Sequence, residues 1–379
     1  MIDYNKLRVR IRLDNLRHNF RLFNEIHDNV IPVIKSDAYG HGLVEVARAL
    51  EKDGANTFAV GFVHEAVKLR ESGCDKRIMA LLGPVSDADV QALWDHRIIT
   101  PISHFAQLKR VLAAAEKNGS LDIGLKFDTG MRRLGFLPEE VDEVAALVKG
   151  SPVTPVMATS HLARADEPGR EKDVALQAGR FQAALDSLAR AGFSVEANLA
   201  NSAGGMVHED CRLDSIRLGI SLYGCDPLEG AGEDRLPGKL LSAMEVTAPV
   251  MQVHPLKRGE SISYGWTFTA ERDSVVAIVG VGYADNYSRA LSNRGEMVLH
   301  GKRVPIRGRV CMQMTAVDVT DLMGEGIEVL PGDEAWLLGG PGECPVTPED
   351  LAEWGNTITY EAFCLLGQNR REYVWFFYR

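Results

Sequence analysis

Apolar positions along the first two-thirds of the chain follow two rhythms. Short, continuous β-branched runs read as buried strands: VIPVIK (30–35), TFAVG (57–61), RIMALL (77–82), IITPI (98–102), LDIGLKF (121–127), TPVMATS (154–160), SVEANL (194–199) and SIRLGISLYG (215–224). Between most of them apolar residues recur every three or four positions, as on one face of a helix. Asp14 is placed to cap a helix with Leu16, Phe20 and Phe23 on its inner face. A second helix presents Phe105, Leu108, Leu112 and Ala115 and stops at Gly119. A third presents Phe181, Leu185 and Leu188 and stops at Gly192. Parallel strands need a crossover between them, and repeated βα units close naturally at eight. Residues from about 10 to 230 therefore read as a (β/α)8 barrel, with an open doubly wound sheet as the rival. No GxGxxG opens a helix and no GxxxxGK[ST] occurs, which disfavours the nucleotide-binding open sheets.

The rhythm changes after LEGAGEDRLPGK (228–239), a stretch rich in Gly and charge that reads as a linker. Beyond it come VTAPVMQVHPL (246–256), VVAIVGVGYA (275–284), EMVLHGKRVPI (296–306), VCMQMTAVDV (310–319), EAWLLGG (334–340) and EYVWFFY (372–378), with turn signals between them. One clear helix is expected, near PEDLAEWGN (348–356). This predicts a mostly antiparallel β domain. The expected division is a barrel over 1–235 and a β domain over 236–379.

Composition narrows the function. The 379 residues carry 42 Lys+Arg against 52 Asp+Glu, a net charge of −10. That balance argues against a dedicated nucleic-acid partner. Six scattered cysteines without a CxxC exclude a disulfide scaffold and the common zinc spacings, so no metal is expected, and they suit a reducing cytoplasm. No apolar run approaches 18 residues, so no membrane span is expected, and the N-terminus lacks a secretion signal.

In a barrel, chemistry belongs at the C-terminal strand ends, and polar residues collect there. Lys35 closes an apolar strand, which suits an amine of lowered pKa, although a surface lysine after a strand looks the same. Lys126 ends the fifth strand beside Asp128, Arg132 and Arg133; such a cation cluster repels itself unless an anion joins it, or else lies in solvent. His161 ends the sixth strand, as a structural or a chemical histidine. Asn201 and Ser202 follow the seventh in LANSAGG, a phosphate loop or a plain turn. Arg217 lies inside the eighth strand, where a charge needs a partner. In the second domain SYG (263–265) and GYAD (282–285) each set a Tyr beside a Gly, for proton transfer or for packing.

At VIKSDAYGHG the chain resembles the bacterial alanine racemases, pyridoxal-phosphate enzymes with a (β/α)8 barrel and a β domain. The resemblance continues in order through KFDTGMRRLGF, SHLARADEP, ANSAGG, IRLGISLYG, SYGWTFTA, VGYADNYSR, GRVCMQMT and TITYEAFC. It implies a cytoplasmic homodimer with shared active sites, using pyridoxal 5'-phosphate to interconvert L- and D-alanine and supplying D-alanine for peptidoglycan. It implies that Lys35 forms the internal aldimine and is one catalytic base, with Tyr264 of a neighbouring subunit as the other. Arg217 would contact the pyridine nitrogen, with His161 supporting it. Tyr39, Ser202, Tyr360 and the backbone at Gly219 and Ile220 would hold the phosphate. Arg133 and the backbone at Met312 would receive the substrate carboxylate. Lys126 matches a lysine often carbamylated in the family. Tyr283 matches a gating tyrosine, and Asp166 and Arg289 match charged residues of the access channel.

Two departures stand out. Gln313 replaces the Asp that usually follows CM, and GYADNYSR replaces GYADGYPR, bringing in Asn286 and Ser288. These bear on substrate preference and rate rather than on reaction class. The alternatives left by sequence are a racemase of serine or of broad specificity, a fold-related amino-acid decarboxylase, and a non-catalytic pyridoxal-phosphate-binding protein. The SYG and Arg217 matches disfavour the decarboxylase, and the second domain disfavours the binding protein.

Overall fold

A computed structural model describes residues 6–228 and 235–375. Half of the linker stretch 228–239 (residues 229–234) and the end of the last strand candidate (376–378) lie outside the described residues. The chain divides into two compact units. One is formed by residues 16–38 and 43–241, the other by 1–15, 39–42 and 242–379.

In chain order the strands are β1 (Arg8–Arg12), β2 (Val30–Pro32), β3 (Thr57–Val60), β4 (Arg77–Ala80), β5 (Ile98–Ile99), β6 (Pro101–Ile102), β7 (Leu121–Lys126), β8 (Val153–Thr159), β9 (Glu196–Asn198) and β10 (Ile216–Leu218). The second unit continues with β11 (Met244–Leu256), β12 (Ser261–Ile262), β13 (Phe268–Thr269), β14 (Ser274–Val279), β15 (Glu296–Leu299), β16 (Lys302–Pro305), β17 (Thr315–Asp318), β18 (Glu334–Leu338) and β19 (Arg371–Val374).

In the first unit β2 to β10 close a parallel ring. Ladders join β3 to β4, β4 to β5, β6 to β7, β7 to β8, β8 to β9 and β10 to β2. Single bridges complete it between Val33 and Ala59 and between Asn198 and Ser215. β5 and β6 act as one strand broken at Thr100. Its hydroxyl donates to Ala80 O at 2.9 Å and its carbonyl accepts from Gly124 N at 3.0 Å. This is the (β/α)8 barrel, and the continuous burial of β2, β3 and β10 is what a sheet covered on both faces requires.

The intervening helices pack by the expected period, with small phase changes. Leu16, Phe20 and Phe23 are buried in the helix Leu13–Asn24, where Asp14 sits in the first turn rather than before it. In Phe105–Asn118 the buried face is Leu108, Val111 and Ala115, so Val111 replaces the expected Leu112. In Glu171–Arg190 it is Val174, Gln177, Phe181, Ala184 and Leu188, and a polar side chain thus stands in an apolar row.

After β2 the backbone makes a left-handed turn: Ser36, Asp37, Ala38 and Tyr39 all have φ between 52° and 56°. Each such residue costs on the order of 1 kcal/mol, so the turn must be held from outside. Asp37 Oδ1 accepts from Leu43 N at 3.0 Å, and Glu65 Oε1 accepts from Asp37 N at 3.3 Å.

The second unit is a mostly antiparallel sheet in the order β16-β15-β18-β11-β1-β19, with β14 on β11 and β17 on β14. β1 belongs here. Its RVRIR alternation buries Val9 and Ile11 and sends the arginines outward, Arg12 forming a two-pronged bond to Glu245 at 2.8 and 2.9 Å. The expected single helix is Pro348–Gly355, capped by Thr347. A second full-length helix, Thr359–Leu366, follows where only a motif was visible in sequence.

Candidate active site

Arg217 organises the barrel's C-terminal end. It is 5% exposed, and its two terminal nitrogens are fully spoken for. Nη1 donates to Thr159 Oγ1 at 2.9 Å and Asn198 O at 3.1 Å. Nη2 donates to Ser160 O at 2.6 Å and Leu199 O at 3.3 Å, and lies 3.2 Å from His161 Nδ1. Among the described residues its Nε has no hydrogen-bond partner. Burial, then Arg133, pulls the guanidinium down to about 10, so it stays charged at neutral pH.

His161 is held well below the usual histidine range, first by burial and then by Arg217, Lys126, Arg133 and Lys35. It is therefore neutral, and with Nδ1 facing a guanidinium N–H that nitrogen is the acceptor. The positive charge of the His–Arg pair resides on Arg217. Lys126, at the end of β7, is pushed down to about 7 by burial, then by Arg217, Arg133 and Lys35, against a smaller opposing effect of Asp128. Lys126 and His161 thus each feel the charges of Lys35, Arg133 and Arg217. Lys35 itself is half-buried and follows the Val33 bridge.

Ser202 opens the short helix after β9, and its Oγ accepts from Gly219 N at 2.9 Å. Asn201 caps that helix through Gly204 N. Ile220 begins the turn whose Tyr223 hydroxyl donates to Val33 O at 2.9 Å, tying β10 to β2. Arg133 is exposed and among the described residues makes no ion pair, while Asp128 folds its loop by accepting from Gly130 and Arg132 N–H. Asp166 is exposed on the loop after β8.

Other expected residues lie in the second unit. Tyr39 is buried, with its ring 5.7 Å from that of Tyr360. Burial, then Tyr360, pushes its phenol well above the usual range, so it keeps its proton. Tyr264, Tyr283 and Met312 come from three loops that one side-chain and two backbone hydrogen bonds tie together. Ser263 Oγ donates to Arg309 O at 2.6 Å; Tyr283 N reaches Cys311 O at 3.0 Å and Ala284 N reaches Met312 O at 2.9 Å. Tyr264 is 70% exposed, and Trp266, Met312 and Met314 are also open. Arg289 and Gln313 are exposed. Asn286 takes φ 61°, a backbone state Asn tolerates better than other non-Gly residues, and Ser288 Oγ accepts from Ala290 N.

Thr159, Ser160 and Asn198 were not singled out in the sequence. A buried arginine calls for acceptors at neighbouring strand ends, and that need was the available signal. A cavity of about 440 Å³ opens among the first residues of β4, β5 and β7, the end of the barrel away from this chemistry. Its Arg70 donors are spent on the carbonyls of Cys74, Lys76, His96 and Arg97, a structural use.

A closed βα barrel with a lysine, a buried arginine and a neutral histidine at its strand ends defines a barrel-type pyridoxal-phosphate enzyme. Residues 11–227 match the alanine racemase N-terminal domain, and residues 243–374 match the alanine racemase C-terminal domain. The chain belongs to the alanine racemase family. It is 48% identical over 371 residues to the alanine racemase of Nitratidesulfovibrio vulgaris strain Miyazaki F, covering 98% of each. It is similar to the solved alanine racemase of Clostridium difficile 630, with a TM-score of 0.88, 31% identity and coverage of 99% and 97%. It is similar also to the alanine racemase of Bartonella henselae with covalently bound pyridoxal phosphate, at a TM-score of 0.87, 26% identity and coverage of 98% and 100%. Among the described residues no helix is long and apolar enough to cross a membrane.

Proposed function

We propose that the chain interconverts L- and D-alanine with pyridoxal 5'-phosphate on Lys35, as a cytoplasmic homodimer whose product serves peptidoglycan. The observation that carries this is Arg217: both Nη atoms are locked by protein acceptors while Nε is left for a ring nitrogen. The donor set fits the cofactor. A strand-end amine suits its aldehyde, and Ser202 with the backbone at Gly219 and Ile220 suits its phosphate. Tyr39, kept protonated by burial, and Tyr360 add phenolic donors to the phosphate set.

Once bound, the cofactor supplies the electron sink that makes an amino acid's α-proton removable. Lys35 Nζ takes or returns the proton on one face. Tyr264 Oη of a second copy does so on the other, and its exposure in the single chain suits that role. Arg133 and the backbone at Met312 orient the carboxylate. His161 holds Arg217 in register. Lys126, as a free amine near neutrality, adds CO2 with loss of a proton, and the resulting carbamate supplies the anion the cation cluster lacks. Tyr283, Asp166 and Arg289 line the access route.

Arg217 keeps its own proton, so it would leave the ring nitrogen of a bound cofactor unprotonated, which would favour return of the proton to Cα over transamination. The holoenzyme should show an absorbance band near about 420 nm that borohydride abolishes. It should scramble L-alanine without releasing CO2. Lys35→Ala should lose both properties; a variant that racemises at the parent's rate overturns the reading. Arg217→Glu should raise transamination relative to racemisation, and an unmoved ratio would refute the role given to Arg217.

A further inference from the structure

Gln177 is the one polar side chain in the buried row of the helix Glu171–Arg190, and it is 5% exposed. It makes three hydrogen bonds. Oε1 accepts from Ala163 N at 2.8 Å, and Nε2 donates to His161 O at 3.1 Å and to Thr129 Oγ1 at 3.3 Å. The amide orientation is fixed, because a flip would set its NH2 against the Ala163 N–H and its oxygen against a carbonyl.

Those three partners lie on two different loops. The β7–β8 ladder ends at Lys126 and Thr159. Past that point the chains separate, one toward Asp128 and Arg133, the other through His161. A few contacts still hold them: Ser160 Oγ donates to Phe127 O at 2.8 Å and lies 2.8 Å from Thr129 Oγ1. Gln177 spans both loops beyond the last rung, and Arg180, on the next turn of the same helix, adds a bond to Thr129 O at 3.1 Å.

We propose that Gln177 is a positioning residue for racemisation, a clamp that fixes the His161 backbone and the Thr129–Gly130 turn relative to each other. This rests on the racemase reading above. The clamp sets where His161 Nδ1 meets Arg217 Nη2 and the point from which the chain leads to Arg133. Displacement of either by a fraction of an ångström misaligns groups that must hold cofactor and substrate together. Gln177 itself touches neither.

The test uses purified holoenzyme carrying Gln177→Leu, Gln177→Glu and, as a control, Leu185→Ala on the same helix. Q177E keeps the shape and the Ala163 bond but turns a carboxylate toward the His161 carbonyl. Both Gln177 variants should lose about 10- to 100-fold in kcat. They should also shift the pH profile of kcat and the pH at which the visible cofactor band titrates. Leu185→Ala should lower the melting temperature and leave both profiles in place. Parental kcat and profiles in Q177E, or changes in both Gln177 variants that only mirror Leu185→Ala, overturn the clamp. A parent that does not racemise alanine refutes the proposed function instead, and the band titration then still reads the clamp.

Discussion

Lys126 is an amine surrounded by cations. Burial and the charges of Arg217, Arg133 and Lys35 hold it near 7, against an ordinary 10.5. Between those values the unfolded chain binds a proton that the folded chain does not, so stability rises with pH across that window. In CO2-free buffer, the melting-temperature advantage of Lys126→Met over the parent should therefore shrink steadily from pH 7 toward 10.5. A pH-independent gap would show that the amine is not strained by its surroundings. The cluster was legible in sequence because KFDTGMRR crowds cations at a strand end. The acceptors of Arg217 were not, because they are mostly backbone carbonyls, which every residue possesses. Gln177 was hidden for another reason: in a helical row an amide reads as surface until the row's burial is known.

Among elements, the pairing of the GYAD and CMQM loops depends on Gly282. A Cβ there would meet Cys311 O at 2.2 Å and the Met312 carbonyl carbon at 2.5 Å, both backbone atoms that cannot step aside. Gly282→Ala should cost about 1–3 kcal/mol in urea unfolding and weaken alanine binding through the displaced Met312 backbone. Unchanged stability would mean that the two loops do not approach this closely. The barrel strands were readable because burial on both faces leaves continuous apolar runs. β1 was not, since five alternating residues identify a strand but not its partners, which lie more than 230 residues away. The helix Thr359–Leu366 has no side-chain cap to announce it.

For the whole molecule, the open side chains of Tyr264, Trp266, Met312 and Met314 are apolar area that a single copy leaves in water. In the proposed homodimer a second copy covers it and receives Tyr264. Specific activity should then fall on dilution in step with the monomer fraction seen by sedimentation; an active monomer would contradict the shared site. The change of rhythm near residue 230 marks where parallel crossovers give way to hairpins, but it could not show that residues 1–15 and 39–42 join the second unit.

The place of β1 has a consequence for biosynthesis. It precedes the whole barrel along the chain, yet both strands that flank it, β11 and β19, follow the barrel. One edge of β1 therefore stays unpaired until β11 follows the barrel, and its other edge until β19 is made. A gene cut at the linker would yield a C-terminal fragment lacking the strand between β11 and β19, a gap shaped for a peptide that carries the five residues Arg8–Arg12 in trans.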